Sequence, residues 1–311
     1  MPLGACELCP RRCAARRFLP HGAHGWCGAA DVPRVFRWGP HFGEEPPITG
    51  ENGSGAVFFS RCTMKCIYCQ NSPWSWLGAG EDVGVDGLRA ILRELAVDRQ
   101  CSNWNLVSPT PWLPFVREAA APLISADIRL PFVYNTSGFE STETLEEFRD
   151  LCDVALCDLR YSRDSTAREA SGAPGYVEAS RATVKWFWNS LGPLETDSRG
   201  TARRGVVCRI LVLPGHASEA VENLAWLATN VSSAVHVSVM SQYTPSYKAK
   251  DVAPWNATVT EDEYAMVEQA AADFGFENGW VQDFESNRPS GLLGENMMPG
   301  PGPAGGKTET R

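Results

Sequence analysis

From residue 56 onward the chain alternates short, nearly unbroken apolar runs with longer stretches in which apolar residues recur every three or four positions. The runs are AVFFS (56–60), WNLVS (104–108), PFVYN (131–135), DVALCD (153–158), VCRILVL (207–213) and VHVSVM (235–240). They are rich in β-branched and aromatic residues and too short for helices, so they predict strands. Helical spacing marks VDGLRAILRELAVD (85–98), STETLEEFRDL (141–151), residues 164–190, ASEAVENLAWLATNV (217–231) and TEDEYAMVEQAAADF (260–274). Apolar strands separated by helices predict a parallel sheet covered by helices, an α/β fold. Six such units are too few for a closed eight-fold barrel, so the expectation is a partial, curved (β/α)6 barrel over residues 51–284.

Outside that span the pattern fails. Residues 1–50 are rich in Cys, Arg, Gly and Pro with little periodicity, which predicts a small module held by a metal rather than by a core. Residues 285–311 are dominated by Gly, Pro and polar side chains and predict a disordered tail. GENGSG (50–55) is glycine-dense but precedes a strand instead of opening a helix, so it reads as a turn rather than a phosphate loop. No internal repeat is visible.

The chemistry lies just past the first strand, in SRCTMKCIYCQNS (60–72), where Cys62, Cys66 and Cys69 are spaced C-x3-C-x2-C. In parallel sheets of this kind functional groups collect on the loops at the carboxyl ends of the strands. Three thiolates could hold three irons of a 4Fe–4S cluster and leave the fourth open to a small molecule, as a catalytic zinc is left one ligand short. The blander readings are a zinc completed by a distant ligand, or three core cysteines.

Composition narrows the setting. A chain of 311 residues, 43% hydrophobic and 21% charged, can bury a large core. A net charge of −9 argues against a nucleic-acid partner gripped through a general basic surface. No apolar run approaches the ~18 residues of a membrane span, and Met1–Arg17 lacks the apolar core of a signal peptide, so no membrane role and a cytoplasmic location are expected. Seven of the eleven cysteines then fall in two clusters in a compartment where disulfides are rare.

C-x3-C-x-aromatic-C after the first strand resembles the signature of radical S-adenosylmethionine (SAM) enzymes. Most of the chain resembles the group described as similar to pyruvate formate-lyase activating enzyme, through residues 44–71, YNTSG (134–138), CDLRYS (157–162), RILVLPG (209–215) and SQYTPSYKA (241–249). The resemblance implies a 4Fe–4S cluster on Cys62, Cys66 and Cys69, with SAM chelating the open iron. Reductive cleavage then gives a 5′-deoxyadenosyl radical that abstracts hydrogen from a substrate. It further implies that Tyr68 contacts adenine and that Asn135, Thr136 and Asp158 make polar contacts to SAM, with ordinary turn and capping chemistry at strand ends as the plain alternative. Ser108, Pro109 and Thr110 stand where many members of the family have Gly-Gly-Glu, and Arg209 opens the fifth strand's match.

A second cluster, Cys6, Cys9, Cys13 and Cys27, has four thiols and suits a closed site, either structural zinc or an auxiliary iron–sulfur cluster; His21 and His24 read as loop residues. This cluster precedes the SAM motif, whereas the ferredoxin-like inserts of glycyl-radical activating enzymes follow it, so the likeness is one of fold and motif rather than of substrate. Cys101, Cys152, Cys157 and Cys208 read as buried small hydrophobes. Trp74, Trp76, Trp186 and Trp188 could line a cavity or pack against the N-terminal module. The expected activity is that of a radical SAM enzyme acting on a glycyl-radical-type protein, with an electron donor such as flavodoxin or ferredoxin. Alternatives are modification of a small molecule or RNA, and a non-catalytic iron–sulfur or zinc protein.

Overall fold

The computed structural model describes residues 5–19, 24–284 and 297–299. All six expected strands are present: β2 (Ser54–Phe59), β3 (Trp104–Val107), β4 (Phe132–Thr136), β5 (Val154–Asp158), β6 (Ala202–Leu211) and β7 (His236–Met240), preceded by β1 (Arg34–His41) and followed by β8 (Gly279–Val281). They form one sheet in the order β8-β7-β6-β5-β4-β3-β2-β1, parallel from β2 to β8. Only β1 runs antiparallel within that order, against β2, and Met298–Pro299 adds a short antiparallel strand on its outer edge. Among the described residues the sheet does not close, and the partial barrel expected from the apolar runs is the fold observed.

Each parallel step is made by a helix. These are α1 (Gly84–Val97), α2 (Leu113–Ser125), α3 (Thr142–Glu147), α4 (Asp164–Ser171) with α5 (Tyr176–Leu191), α6 (Ala217–Asn230) and α7 (Glu261–Asp273). In α1 the residues Leu88, Ile91, Leu92 and Leu95 are buried at i, i+3, i+4 and i+7, the stripe that packs a helix onto a sheet. A capping box between Thr260 and Glu263 starts α7. Residues 164–190, expected as one helix, are two, because Gly172 takes a left-handed φ of 54° and closes α4 before α5 begins. Helix α2 was not anticipated: Pro114 and Pro122 obscure it, although a proline in the first turn costs no hydrogen bond.

Two boundaries differ from expectation. Residues 34–41, placed by their sequence in the N-terminal module, form a sheet strand in which Val35 and Trp38 are buried. Of the expected tail, residues 297–299 are described and form the edge strand; the rest lies outside the described residues, as does His21.

The remaining N-terminal segment is docked by arginines. Arg17 is buried and donates to the carbonyls of Ala30 and Pro111, with its guanidinium over the Phe18 ring. Arg11 donates to the carbonyls of Thr63, at 2.6 Å, and Gly172, at 2.7 Å. These charge-assisted bonds dock the module on the sheet, and the one to Thr63 ties it to the loop that carries the three cysteines.

Candidate functional site

In a parallel sheet the chain turns toward its helices at the carboxyl ends of the strands, and there a cavity of about 540 Å³ opens. Cys62, Cys66 and Cys69 all line it, together with Tyr68, Ser108, Asn135, Thr136, Asp158 and Arg209. Strand register explains the convergence. Asp158 pairs with Arg209 and Arg209 with Ser238, so the ends of β5, β6 and β7 present three adjacent polar side chains to one space.

The 62–69 loop is held by backbone bonds from Lys65 N–H to Ser171 and from Ile67 N–H to Ala170, at the end of α4. Each sulfur meets a donor. Arg160 Nη1 and Ser171 Oγ donate to Cys66 Sγ at 3.1 and 3.0 Å, Met64 N–H lies 3.4 Å from Cys62 Sγ, and Cys69 Sγ is 3.2 Å from Ser75 Oγ. Ser108 holds a left-handed φ of 57°, a conformation a non-glycine residue adopts at a cost and one that recurs at functional sites. Burial raises the thiol pKa of Cys62, and pushes that of Cys69 up to about 12, with Cys66 adding to both shifts.

The floor of the cavity is ionic. Arg209 pairs with both Glu44 and Glu45, its Nε donating to Glu45 Oε1 at 2.8 Å. Glu44 also accepts from Asn105 at 2.8 Å and from Asn135 at 3.4 Å. Burial alone would raise the pKa of Glu45, but Arg209 outweighs it and holds it below the usual carboxylate value. Burial likewise opposes the charges of Arg209 and Arg160, yet their carboxylate partners keep both pKa values well above normal. Asp158 accepts from Arg160 Nε at 3.1 Å. Three carboxylates face two guanidiniums, which leaves the cavity wall net acidic.

Two expected residues behave differently. Thr110 does not line the cavity; it is buried and donates to Glu140 at 2.7 Å, because Pro109 starts a 3-10 turn that carries it off the rim. Tyr68 lines the cavity, but its ring lies in an aromatic stack with Trp255 (5.6 Å, 18°), and its hydroxyl pairs with Tyr161. Glu44, Glu45 and Arg160 were not anticipated as site residues. Arg160 sits in the CDLRYS segment that marked the site, and Glu44–Glu45 open the 44–71 segment, but neither carries a motif that announces a side-chain role.

Of the tryptophans, Trp74 lines the cavity while Trp186 bonds to Glu146 away from it. Cys101, Cys152, Cys157 and Cys208 are buried, as expected of small hydrophobes.

Two sulfurs of the second thiol set lie close together. A Cβ added at Gly25 would lie 3.3 Å from Cys27 Sγ and 3.7 Å from Cys13 Sγ, so these two sulfurs flank one point. Cys9, pushed up to about 12 mainly by burial, also feels Cys27 and Cys6. Among the described residues no three or more His, Cys, Asp or Glu side chains are drawn closely enough to hold a single metal ion. The 62–69 set fits an iron–sulfur cube in its chemistry: three soft thiols on one cavity, no fourth cysteine lining it, and donors aimed at the sulfurs.

No protein-family model matches the chain. An uncharacterized protein of Methanocaldococcus jannaschii is 26% identical over 280 residues, which cover 88% of this chain and 75% of that protein. Among solved structures, a domain of pyruvate-formate lyase-activating enzyme from Bacteroides vulgatus superposes with a TM-score of 0.39 at 14% identity, over 55% of this chain and 91% of that one. SuiB of Streptococcus suis bound to S-adenosylmethionine gives a TM-score of 0.47 at 11% identity over 71% of this chain, and anSMEcpe with bound AdoMet gives 0.45 at 9% over 70%. This chain spans 48% and 58% of the lengths of those two structures. At such identities no residue role is transferred. Among the described residues no helix is long and apolar enough to cross a membrane.

Proposed function

We propose that this chain is a radical SAM enzyme, with Cys62, Cys66 and Cys69 as the ligands of a 4Fe–4S cluster. When bound, that cluster supplies the electron that splits the sulfonium C–S bond of SAM into methionine and a 5′-deoxyadenosyl radical, which takes a hydrogen atom from the substrate. The observation that carries the reading is the placement of exactly three thiols of one loop on a single cavity at the carboxyl ends of parallel strands. Electron-transfer centres fill every iron with a protein ligand, so three thiols favour catalysis over a passive redox or scaffolding role.

The rest of the cavity suits SAM. Its volume is within the ~300–1,000 Å³ of small-molecule sites. The acidic wall of Glu44, Glu45 and Asp158 complements a cationic sulfonium and ammonium, and Arg209 and Arg160 supply counter-charge for a carboxylate. Ser108, Asn135 and Thr136 offer further polar contacts from the strand ends. The substrate in this reading is a protein of the glycyl-radical kind, whose hydrogen donor would enter on an extended segment past Phe42, a cavity-lining residue that is 66% exposed.

The test is anaerobic. The full chain is reconstituted with iron and sulfide, mixed with SAM and dithionite, and the products are separated for 5′-deoxyadenosine. Cluster-loaded protein that yields none contradicts the proposal and leaves the non-catalytic reading.

A further inference from the structure

Across the outer side of the 62–69 loop runs a row of alternating cations and aromatic rings. Arg11 lies 3.2 Å from the Trp26 ring centre. Lys65 Nζ is 5.6 Å from Trp26 and 5.2 Å from Trp76, and Lys248 Nζ is 4.6 Å from Trp76 and 5.5 Å from Tyr247. Trp26 is 43% exposed, Leu77 beside Trp76 is 66% exposed, and Lys248 and Lys250 both face solvent.

None of these four cations forms an ion pair among the described residues. In a chain of net charge −9 such a strip needs a cause. Hydrogen bonding to backbone carbonyls accounts for Arg11, on Thr63 and Gly172, and for Lys65, on Cys27. It does not account for Lys248 and Lys250, which stand on the outward turn Tyr247–Asp251 with Asp251 as that turn's one carboxylate.

The strip touches the thiol loop directly. Trp76 Nε1 donates to the Cys66 carbonyl at 3.0 Å, and the backbone N–H groups of Lys248 and Ala249 both donate to Ile67 at 3.0 Å. A partner seated there would stand one residue from a cluster ligand.

We propose that this strip docks an acidic electron-donor protein, which gives one electron to the centre on the 62–69 loop and is itself oxidised by one electron. The inference rests on the radical SAM reading above. A negatively charged partner complements the uncompensated cations, and the exposed Trp26 and Leu77 supply the apolar anchors that interfaces place beside charge. A single-stranded nucleic acid fits less well, because base stacking needs free ring faces and the Trp76 ring already has two lysine ammoniums, at 5.2 and 4.6 Å, and the Tyr247 ring, at 5.2 Å, against it.

The experiment uses the reconstituted full chain and follows 5′-deoxyadenosine with reduced flavodoxin as the protein donor, and separately with dithionite. In Lys248→Glu the KM for flavodoxin rises about tenfold at low ionic strength, the rise shrinks as salt is added, and the rate with dithionite is unchanged. Lys248→Arg restores the wild-type KM, and Lys185→Glu on α5 leaves it unmoved. An unchanged flavodoxin KM in Lys248→Glu, with dithionite activity intact, overturns the docking proposal. Lys248-dependent binding of an oligouridine without any change in donor KM overturns it too. No product from wild type with dithionite instead removes the radical SAM reading, and this proposal with it.

Discussion

Arg160 donates from Nη1 to the sulfur of Cys66 at 3.1 Å while its Nε holds Asp158 at 3.1 Å. One guanidinium thus links the end of β5 to the central thiol of the 62–69 loop. The same sulfur accepts from Ser171 Oγ at 3.0 Å, and Ser171 is bonded to the Tyr161 hydroxyl at 2.5 Å. Donors on a ligand sulfur stabilise its negative charge and so favour the reduced cluster. Ser171→Ala keeps the backbone bond from Lys65 and removes only the hydroxyl. Its expected effect is a more negative reduction potential by EPR-monitored titration and a loss of SAM cleavage of about 10–100-fold. An unaltered potential would show that this hydroxyl does not tune the centre.

Arg209 neutralises two nearly buried carboxylates at once. Arg209→Met leaves Glu44 and Glu45 without a cation and should cost about 3–5 kcal/mol at pH 7 in chemical denaturation. The sign with pH follows from Glu45, whose folded pKa is depressed. Wild type therefore gains stability from this pair above the unfolded carboxylate pKa and loses it as pH falls through the folded one. The variant has no such gain to lose, so its deficit narrows on acidification. A deficit independent of pH would refute the electrostatic account.

Glu140 is caged behind the cavity by Thr110, Thr136 and Tyr134, and burial pushes its pKa from 4.5 up to about 7. A raised acid is favoured in its protonated form. Its contribution is intact below pH 4.5 and is lost as pH rises through about 7, by on the order of 3 kcal/mol. Glu140→Gln mimics the neutral acid, so its stability at pH 5 should match wild type within ~1 kcal/mol and exceed it at pH 8. Parallel stability curves for the two proteins across pH 5–8 would contradict this.

Cys9 belongs to the four-thiol set docked outside the cavity. Cys9→Ala is expected to lower metal content and thermal stability while retaining 5′-deoxyadenosine formation with dithionite, whereas Cys66→Ala abolishes it. Metal analysis of anaerobically purified protein separates the two sets and shows whether the N-terminal one, proposed as a zinc or iron–sulfur site, holds either metal. Equal metal content in wild type and Cys9→Ala would remove that site from consideration.

Periodicity made the barrel legible because each apolar run is a strand buried on both faces, and a strand of that kind has few other places to go. The helix at 113–125 is hidden in the sequence because its prolines mimic loop punctuation, and the break at Gly172 because one left-handed residue interrupts an otherwise continuous pattern. The three thiols are legible through their spacing, and Asn135, Thr136 and Asp158 as polar groups closing apolar runs, whereas Arg209 stands inside its run and is marked only by the family resemblance. Thr110 looked equivalent, yet a turn beginning at Pro109 carries it into the core beside Glu140.

By itself, then, the sequence determined the alternation of strands and helices, the open parallel sheet, and a loop of three cysteines at its rim, since all of these follow from local spacing and burial. Only the tertiary structure decided that Glu44 and Glu45 meet Arg209 across more than 160 residues, that Arg160 turns to Cys66, and that the cysteine-rich segment docks beside the loop through Arg11 and Arg17. The reason is physical: a buried charge must find its counter-charge wherever strand register brings one, and register is a property of the assembled sheet, not of any window along the chain.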